Sequence, residues 1–318
     1  YYLRAYATNE SGDTPSNEVK FTTPSIFGND LATFPGTGRV EFATFCANNQ
    51  IYVLGGSSGT GYVKDLYGYS PSENKWAALA SYKESAYGVS VCTQDDNVYA
   101  VAGITSARWY TELYTYSSNT WTQFASLESD KKMECIFPTS FVYKDSIILI
   151  GGESLGESNL AVRDTIYRYD MINQEWAGCG NFPVSIKAGV SITSGDSVFV
   201  GLGNKPEDGP DERGLWINTS GNWSNWTRLT ETPPEMKNVC SGVLFKDCLY
   251  YIDNGGVIWR FNLTTKDWSK MSSFPKKLTN TPVDYRIFLL NDTIYIFLIN
   301  YYSSYLKTYD PLWDVPQK

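Results

Sequence analysis

The sequence predicts an all-β protein assembled from a repeated four-stranded unit. Three observations carry this: the composition, an apolar strand-and-glycine motif that recurs, and a tryptophan set at a steady distance behind it. Aromatic residues make up 15% of the 318 residues and hydrophobic ones 42%. Tyr, Trp, Val, Ile and Thr favour pleated, half-buried surfaces over helices, and this length suffices to bury a sizeable core.

The motif reads "IYVLGG" at 51–56, then "VYAVAG" (98–103), "IILIGG" (147–152), "VFVGLG" (198–203), "LYYIDN" (249–254) and "IYIFLI" (294–299). A second signature follows each copy: "LYGY" to Trp76, "LYTY" to Trp121, "IYRY" to Trp176, "LWIN" to Trp226, "IWRF" to Trp268, and "LKTY" from Leu306. Past the tryptophans comes an apolar residue and often a proline, as in Trp226, Leu229, Pro233. Each unit then holds four strands. A short strand pairs with the "IYVLGG" strand through a tight turn such as Asn48-Asn49 or Lys246-Asp247, and the "LYGY" and Trp strands follow. Four-stranded units of about 40 to 50 residues are the mark of a propeller blade.

A doubled glycine, a tyrosine strand and a tryptophan at fixed distance resemble the kelch repeat, over roughly residues 25–316. The resemblance implies a six-bladed kelch-like β-propeller. "LYYIDN" departs from the pattern, its Gly255-Gly256 pair coming two positions late, and "IYIFLI" has no glycine pair. In the kelch pattern the glycines end the second strand close to the crowded axis, where a side chain would obstruct the neighbouring backbones. That accounts for the glycine-rich stretch "YVLGGSSGTGYVKDLY". A phosphate loop is excluded there because Tyr62 stands where its lysine would be and strand follows instead of helix.

The last unit, "YLKTYDPLWDVPQK", lacks a tryptophan at the repeat spacing, so its outer strand is missing. "FGNDLATFPGTGR" (27–39) carries Leu31 and Pro35 at the spacing of Leu229 and Pro233. Residues 27–35 are therefore expected to supply that strand and close the ring, removing an exposed edge. Ahead of it, "YYLRAYATNESGDTPSNEVKFTT" (1–23) resembles the last two strands of a fibronectin type III module, a sandwich that needs about seven. The resemblance implies further domains upstream and an extracytoplasmic location, secreted, periplasmic or at a bacterial cell surface.

A net charge of −8 and a pI near 4.8 argue against broad attraction to nucleic acid. No apolar run approaches the roughly 18 residues of a spanning helix, so no membrane insertion by this segment is expected. Histidine is absent and the six cysteines show no CxxC spacing, so neither metal nor organic cofactor is expected. The same absence leaves copper oxidases of the galactose-oxidase type a likeness of fold alone. Cys46, Cys92 and Cys240 fall at similar places in first strands and are expected to be free thiols acting as small hydrophobes.

Propeller function resides in loops at one end of the ring. The loops 57–65, 104–112, 153–164, 204–213 and 300–305 differ greatly in length, which suits a surface tailored for binding. Their ligand-binding candidates are Tyr62, Arg108, Trp109, Tyr110, Arg163, Arg213, Tyr301 and Tyr302, offering stacking faces and forked hydrogen bonding. Arg39, Lys132, Lys187 and Lys237 begin first strands and would ring the same face, where they could bind a carboxylate on a ligand. The loop "NKPEDGPDER" resembles the Glu-to-Arg loop of kelch-type sialic acid mutarotases, which would make Glu207 and Arg213 a catalytic pair, although the family's spacing is not reproduced. The expected function is non-catalytic binding of a glycan or protein partner. The alternatives are a histidine-independent sugar-processing enzyme and a structural surface scaffold.

Overall fold

The second strand of each unit is apolar at nearly every position because it is covered on both faces, which replaces alternation by a continuous run. In Ser146–Ile150 every residue is buried, and in Thr293–Asn300 all but the first. The computed structural model describes residues 2–20, 25–105, 109–126, 135–155, 160–204, 213–279 and 282–317.

Among the described residues, five antiparallel sheets have four strands in chain order from inner to outer. They are Ala43–Ala47, Gln50–Leu54, Leu66–Ser70 and Lys75–Leu79; then Ser90–Gln94, Asn97–Ile104, Trp109–Ser117 and Thr120–Ser126. The third holds Thr139–Tyr143, Ser146–Ile150, Thr165–Asp170 and Glu175–Asn181, and the fourth Val190–Ser194, Ser197–Gly201, Gly214–Asn218 and Thr227–Glu231. The fifth holds Val239–Phe245, Cys248–Asp253, Val257–Asn262 and Trp268–Ser273. The last sheet has three strands, Val283–Leu290, Thr293–Asn300 and Ser304–Tyr309. First strands pack on one another in chain order, and that of the last sheet returns to that of the first. Asn48 and Asn49 both take left-handed φ, 47° and 56°, which is what a two-residue hairpin turn demands.

The core lies between sheets. Phe45, Tyr52 and Leu54 of the first pack with Val98, Ala100, Tyr114 and Tyr116 of the second. Phe42, Ile51, Val53 and Tyr69 share another cluster with Phe288, Tyr295 and Phe297 of the last sheet. Residues 26–31 run beside the outer edge of that sheet. The Gly28 and Leu31 amides donate to the carbonyls of Thr308 (3.0 Å) and Leu306 (2.9 Å), and the Asp310 amide to that of Ile26 (2.8 Å). The tail beyond Tyr309 instead leans on the fifth sheet, where Gln317 donates to the Lys270 carbonyl and Asp314 accepts from Ser272.

The tyrosine–tryptophan signature is a clamp on the preceding segment. Tyr116 donates to Asn119 Oδ1, which also accepts the Ala80 amide (2.7 Å), while the Trp121 indole donates to the Ala80 carbonyl (3.1 Å). In the first sheet, Tyr69, Asn74 and Trp76 hold the amide and carbonyl of Ala32 in the same way. Both polar groups of one linker residue are thereby satisfied beneath an aromatic lid.

The paired glycines meet linker backbone. Gly151 has φ of +65°, accepts no Cβ because the Ile186 carbonyl oxygen occupies that place, and its neighbour Gly152 donates to the same oxygen at 2.8 Å. Gly151→Ala is expected to cost more than about 2 kcal/mol, since strain from the left-handed conformation adds to a backbone collision; a urea midpoint within error of the parent would contradict it.

The N-terminal residues form a hairpin, Tyr2–Leu3 pairing with Val19–Lys20 and Tyr6–Asn9 with Gly12–Pro15. Leu3, Tyr6 and Val19 are exposed. No disulfide forms among the described residues, and burial lifts the thiols of Cys46, Cys92 and Cys240 to about 12, which makes them poor nucleophiles.

Candidate functional site

Immediately before the first strands, the chain turns through a left-handed residue: Glu41 (φ 55°), Gly88 (68°), Phe137 (53°) and Ala188 (52°). The residue ahead of it bridges to the one following the glycine that ends the second-strand motif, as in Tyr87 with Ile104, Ile136 with Glu153 and Lys187 with Asn204. The Phe137 amide donates to the Gly88 carbonyl and the Ala188 amide to the Phe137 carbonyl, tying neighbouring linkers together at the axis. Left-handed Glu and Phe are costly by about 1 kcal/mol or more, and such strain collects at functional sites.

These turns surround an axial cavity of about 230 Å³. First strands line it with hydroxyls, Thr44, Ser90, Ser140, Ser191 and Ser241, and Arg286 joins them from the last sheet. Ser90 and Ser140 hydroxyls lie 2.7 Å apart, and that of Ser191 donates to the Ser140 carbonyl. Phe42, Phe137 and Val89 add apolar wall.

Arg286 is fully engaged. It pairs with the buried Asp284 and donates to the carbonyls of Tyr285 (2.9 Å), Phe42 (3.3 Å) and Cys240 (3.5 Å), its guanidinium lying over the Phe42 ring. Burial raises the Asp284 carboxyl above the usual range against the pull of Arg286. The Glu41 amide donates to Asp284 Oδ2 (3.1 Å). The Glu41 carboxyl is raised by desolvation and by Asp284, and lowered by Lys187 and Arg286. Its surface opens to water while protein surrounds it, the situation of a group in a funnel.

The rim is aromatic. Tyr62 and Tyr87 rings stand 4.4 Å apart, and Tyr87 meets Phe137 edge-on at 5.8 Å. Burial, and then the Tyr62 hydroxyl, push Tyr87 up to about 12, with Glu41 and Glu153 adding to the rise. Lys187 pairs with Glu153 at 2.8 Å. Glu41, Arg286 and the rings of Phe42 and Phe137 thus share one concavity, with Tyr87 against Phe137 beside it, and such a mixture suits a small polar ligand.

Of the sequence candidates, Tyr62 sits at this rim. Tyr301 packs near Gly59 and lines a cavity of about 90 Å³ with Tyr302, which is 74% exposed, so both lie outward over the first and last sheets. Arg163 joins the linker through its backbone, its amide donating to Gly152 and its carbonyl accepting from Ile186. Arg213 donates to the carbonyls of Thr232 (2.9 Å), Pro233 and Pro234 (3.4 Å), which pins the linker. Arg108 and Glu207 lie outside the described residues, as does Lys132. Trp109 and Tyr110 were expected in a loop; their backbones instead extend a strand, paired with Ile104 and Gly103, because the hairpin continues past the glycine position, and their side chains lie outside the described part. Arg39 corrects the expectation of a basic ring: it is fully buried, forked onto Asp65 and bonded to the Thr37 and Gly55 carbonyls. Sequence reasoning missed Glu41, Tyr87, Phe137, Glu153, Asp284 and Arg286. For Glu41, Tyr87 and Phe137 the available signal was their position two or three residues ahead of first strands; Glu153 follows a glycine pair, and Asp284 and Arg286 lie within the first strand of the last sheet. No group of three or more metal-ligating side chains is present among the described residues.

Residues 38–81 match the kelch motif model. N-acetylneuraminate epimerase of Pasteurella multocida (strain Pm70) is 24% identical over 213 residues, 64% of this chain and 51% of that protein. Kelch repeat and BTB domain-containing protein 2 of horsepox virus is 21% identical over 259 residues, 80% of this chain and 39% of the viral protein. Kelch-like protein 35 of Mus musculus is 24% identical over 172 residues, 54% of this chain and 28% of the mouse protein. The chain spans about half the length of these curated relatives or less. The solved structure of YjhT matches with a TM-score of 0.68 at 15% identity, covering 91% of this chain and 99% of that one, a likeness of fold. Motif, relatives and sheets together give an all-β protein with the architecture of a kelch β-propeller.

Proposed function

We propose that the chain is a six-bladed propeller, closed by residues 26–35, that binds a carbohydrate in the axial funnel. The closure is supported by the clamp on Ala32, which the first sheet grips as the second grips Ala80 at the end of an outer strand. Binding rests on one observation: the hydroxyl-lined axial cavity with Glu41 at its mouth and Tyr62, Tyr87 and Phe137 about its rim. Stacking faces beside hydrogen-bonding groups suit sugar rings and their hydroxyls. The fibronectin-like wording of residues 1–23 supports an extracytoplasmic setting and adjoining modules.

Titration calorimetry with soluble mono- and oligosaccharides tests this. A sugar is expected to bind the parent, and Tyr87→Ala, checked for folding, to weaken it roughly tenfold or more, as loss of an aromatic anchor does. Unchanged binding in Tyr87→Ala with loss in Tyr302→Ala would move the site to the outer loops.

A second reading, sugar-processing catalysis, is favoured by the relatives named N-acetylneuraminate epimerase and by the raised Glu41 carboxyl, a group poised for proton transfer. It centres on Glu41 and not on Arg213, whose guanidinium is occupied by carbonyls. Proton NMR of anomer interconversion, with and without the protein, separates it from binding alone.

A further inference from the structure

We propose that the axial funnel selects a protonated amine, so that its ligand is an amino sugar with a free ammonium group. The inference rests on the carbohydrate reading above and names the substrate class.

Two cations near the axis are already answered, while Lys237 lines a separate small cavity beside Arg213. Arg286 is held by Asp284 and by three carbonyl oxygens, and Lys187 by Glu153 at 2.8 Å. An anionic ligand would have to displace one of these carboxylates. Glu41 is in the opposite position. Its carboxylate has no hydrogen-bond or ion-pair partner among the described residues, and the left-handed backbone at φ 55° is retained although glycine occupies the matching turn at Gly88. Among the described residues, Glu41 and Arg286 are the charged ones lining the cavity, so the charge they leave for a ligand to meet is negative.

The remaining wall fits an ammonium. Ser90 and Ser140 present hydroxyl oxygens, and Phe137 presents an aromatic ring, which attracts a cation through its quadrupole. An ammonium there would form a charge-assisted bond to Glu41 and fill its other donors with hydroxyls. It would also offset the desolvation and the repulsion from Asp284 that together raise the Glu41 carboxyl.

The test is calorimetric titration of glucosamine, N-acetylglucosamine, glucose and propylamine into the parent and Glu41→Gln, at a pH where both amines are protonated. Glucosamine is expected to bind at least about tenfold more tightly than its acetylated or hydroxyl counterparts, and Glu41→Gln to erase that difference. Equal affinity for all three sugars would overturn the amine inference while leaving sugar binding intact. Propylamine binding as tightly as glucosamine would uphold the amine and remove the sugar. Binding of none of the four would overturn the inference. Because Glu41 is exposed, its replacement by Gln leaves the core untouched, and a glucosamine difference that survives in Glu41→Gln also contradicts the assignment.

Discussion

Arg39→Ala is expected to destabilise the protein by about 3–5 kcal/mol, the scale for breaking a buried, fully bonded ion pair. Arg39 has no solvent exposure. Its fork reaches both oxygens of Asp65, its Nε donates to the Thr37 carbonyl (2.8 Å) and Nη1 to that of Gly55 (3.1 Å), and its guanidinium lies 5.1 Å from the Phe34 ring centre. One side chain therefore ties the entry segment, the first glycine turn and the strand that follows it. Alanine removes all of these bonds and leaves a cavity. Arg39→Lys should fall between, because an ammonium cannot fork onto Asp65 while reaching two carbonyls. Equilibrium denaturation decides: a loss below about 1 kcal/mol for alanine would show that the pair is dispensable.

The second large effect is expected at Asp253, which is also fully buried. One carboxylate oxygen accepts the amides of Gly255 (2.8 Å) and Val257 (3.0 Å), and the other the Trp259 indole (2.9 Å) and the Lys237 amide (3.3 Å). Asp253→Ala strands these donors and should cost about 3–5 kcal/mol, whereas Asp253→Asn keeps one acceptor oxygen and should cost less. Thermal unfolding of the two variants in parallel checks the order; an Asn variant as damaged as the Ala variant would contradict this division of bonds between the two oxygens.

Asp253 also explains an irregularity in the sequence. "LYYIDN" lacks the doubled glycine of "IYVLGG" and "IILIGG", and the carboxylate there organises the turn by gathering the amides of the displaced Gly255 and of Val257. The second strands, the tyrosine–tryptophan strands and their register were legible because each repeat obeys one local rule. The tryptophan spacing reflects a clamp that needs an asparagine between the two aromatics, visible as Asn74 and Asn119. The funnel was not legible. Glu41 and Asp284 lie 243 residues apart and meet because the chain returns to its start. Their surroundings depend on which linker residue turns left-handed, which no periodicity encodes. Loop length and exposed aromatics drew attention outward, to Tyr301 and Tyr302, while the rim was built from Tyr87 and Phe137 in segments that read as connectors. Basic residues drew it likewise to Arg39 and Arg213, both spent on carbonyls and carboxylates inside the protein.

The most direct test of the central claim is a crystal structure with the tightest-binding sugar of the calorimetric screen. The account predicts the sugar in the axial cavity, with a polar group within hydrogen-bonding distance of Glu41 and a ring face toward Phe137 or Tyr87. A sugar held on the loops around Tyr301 and Tyr302, with the axial cavity filled by water alone, would contradict it.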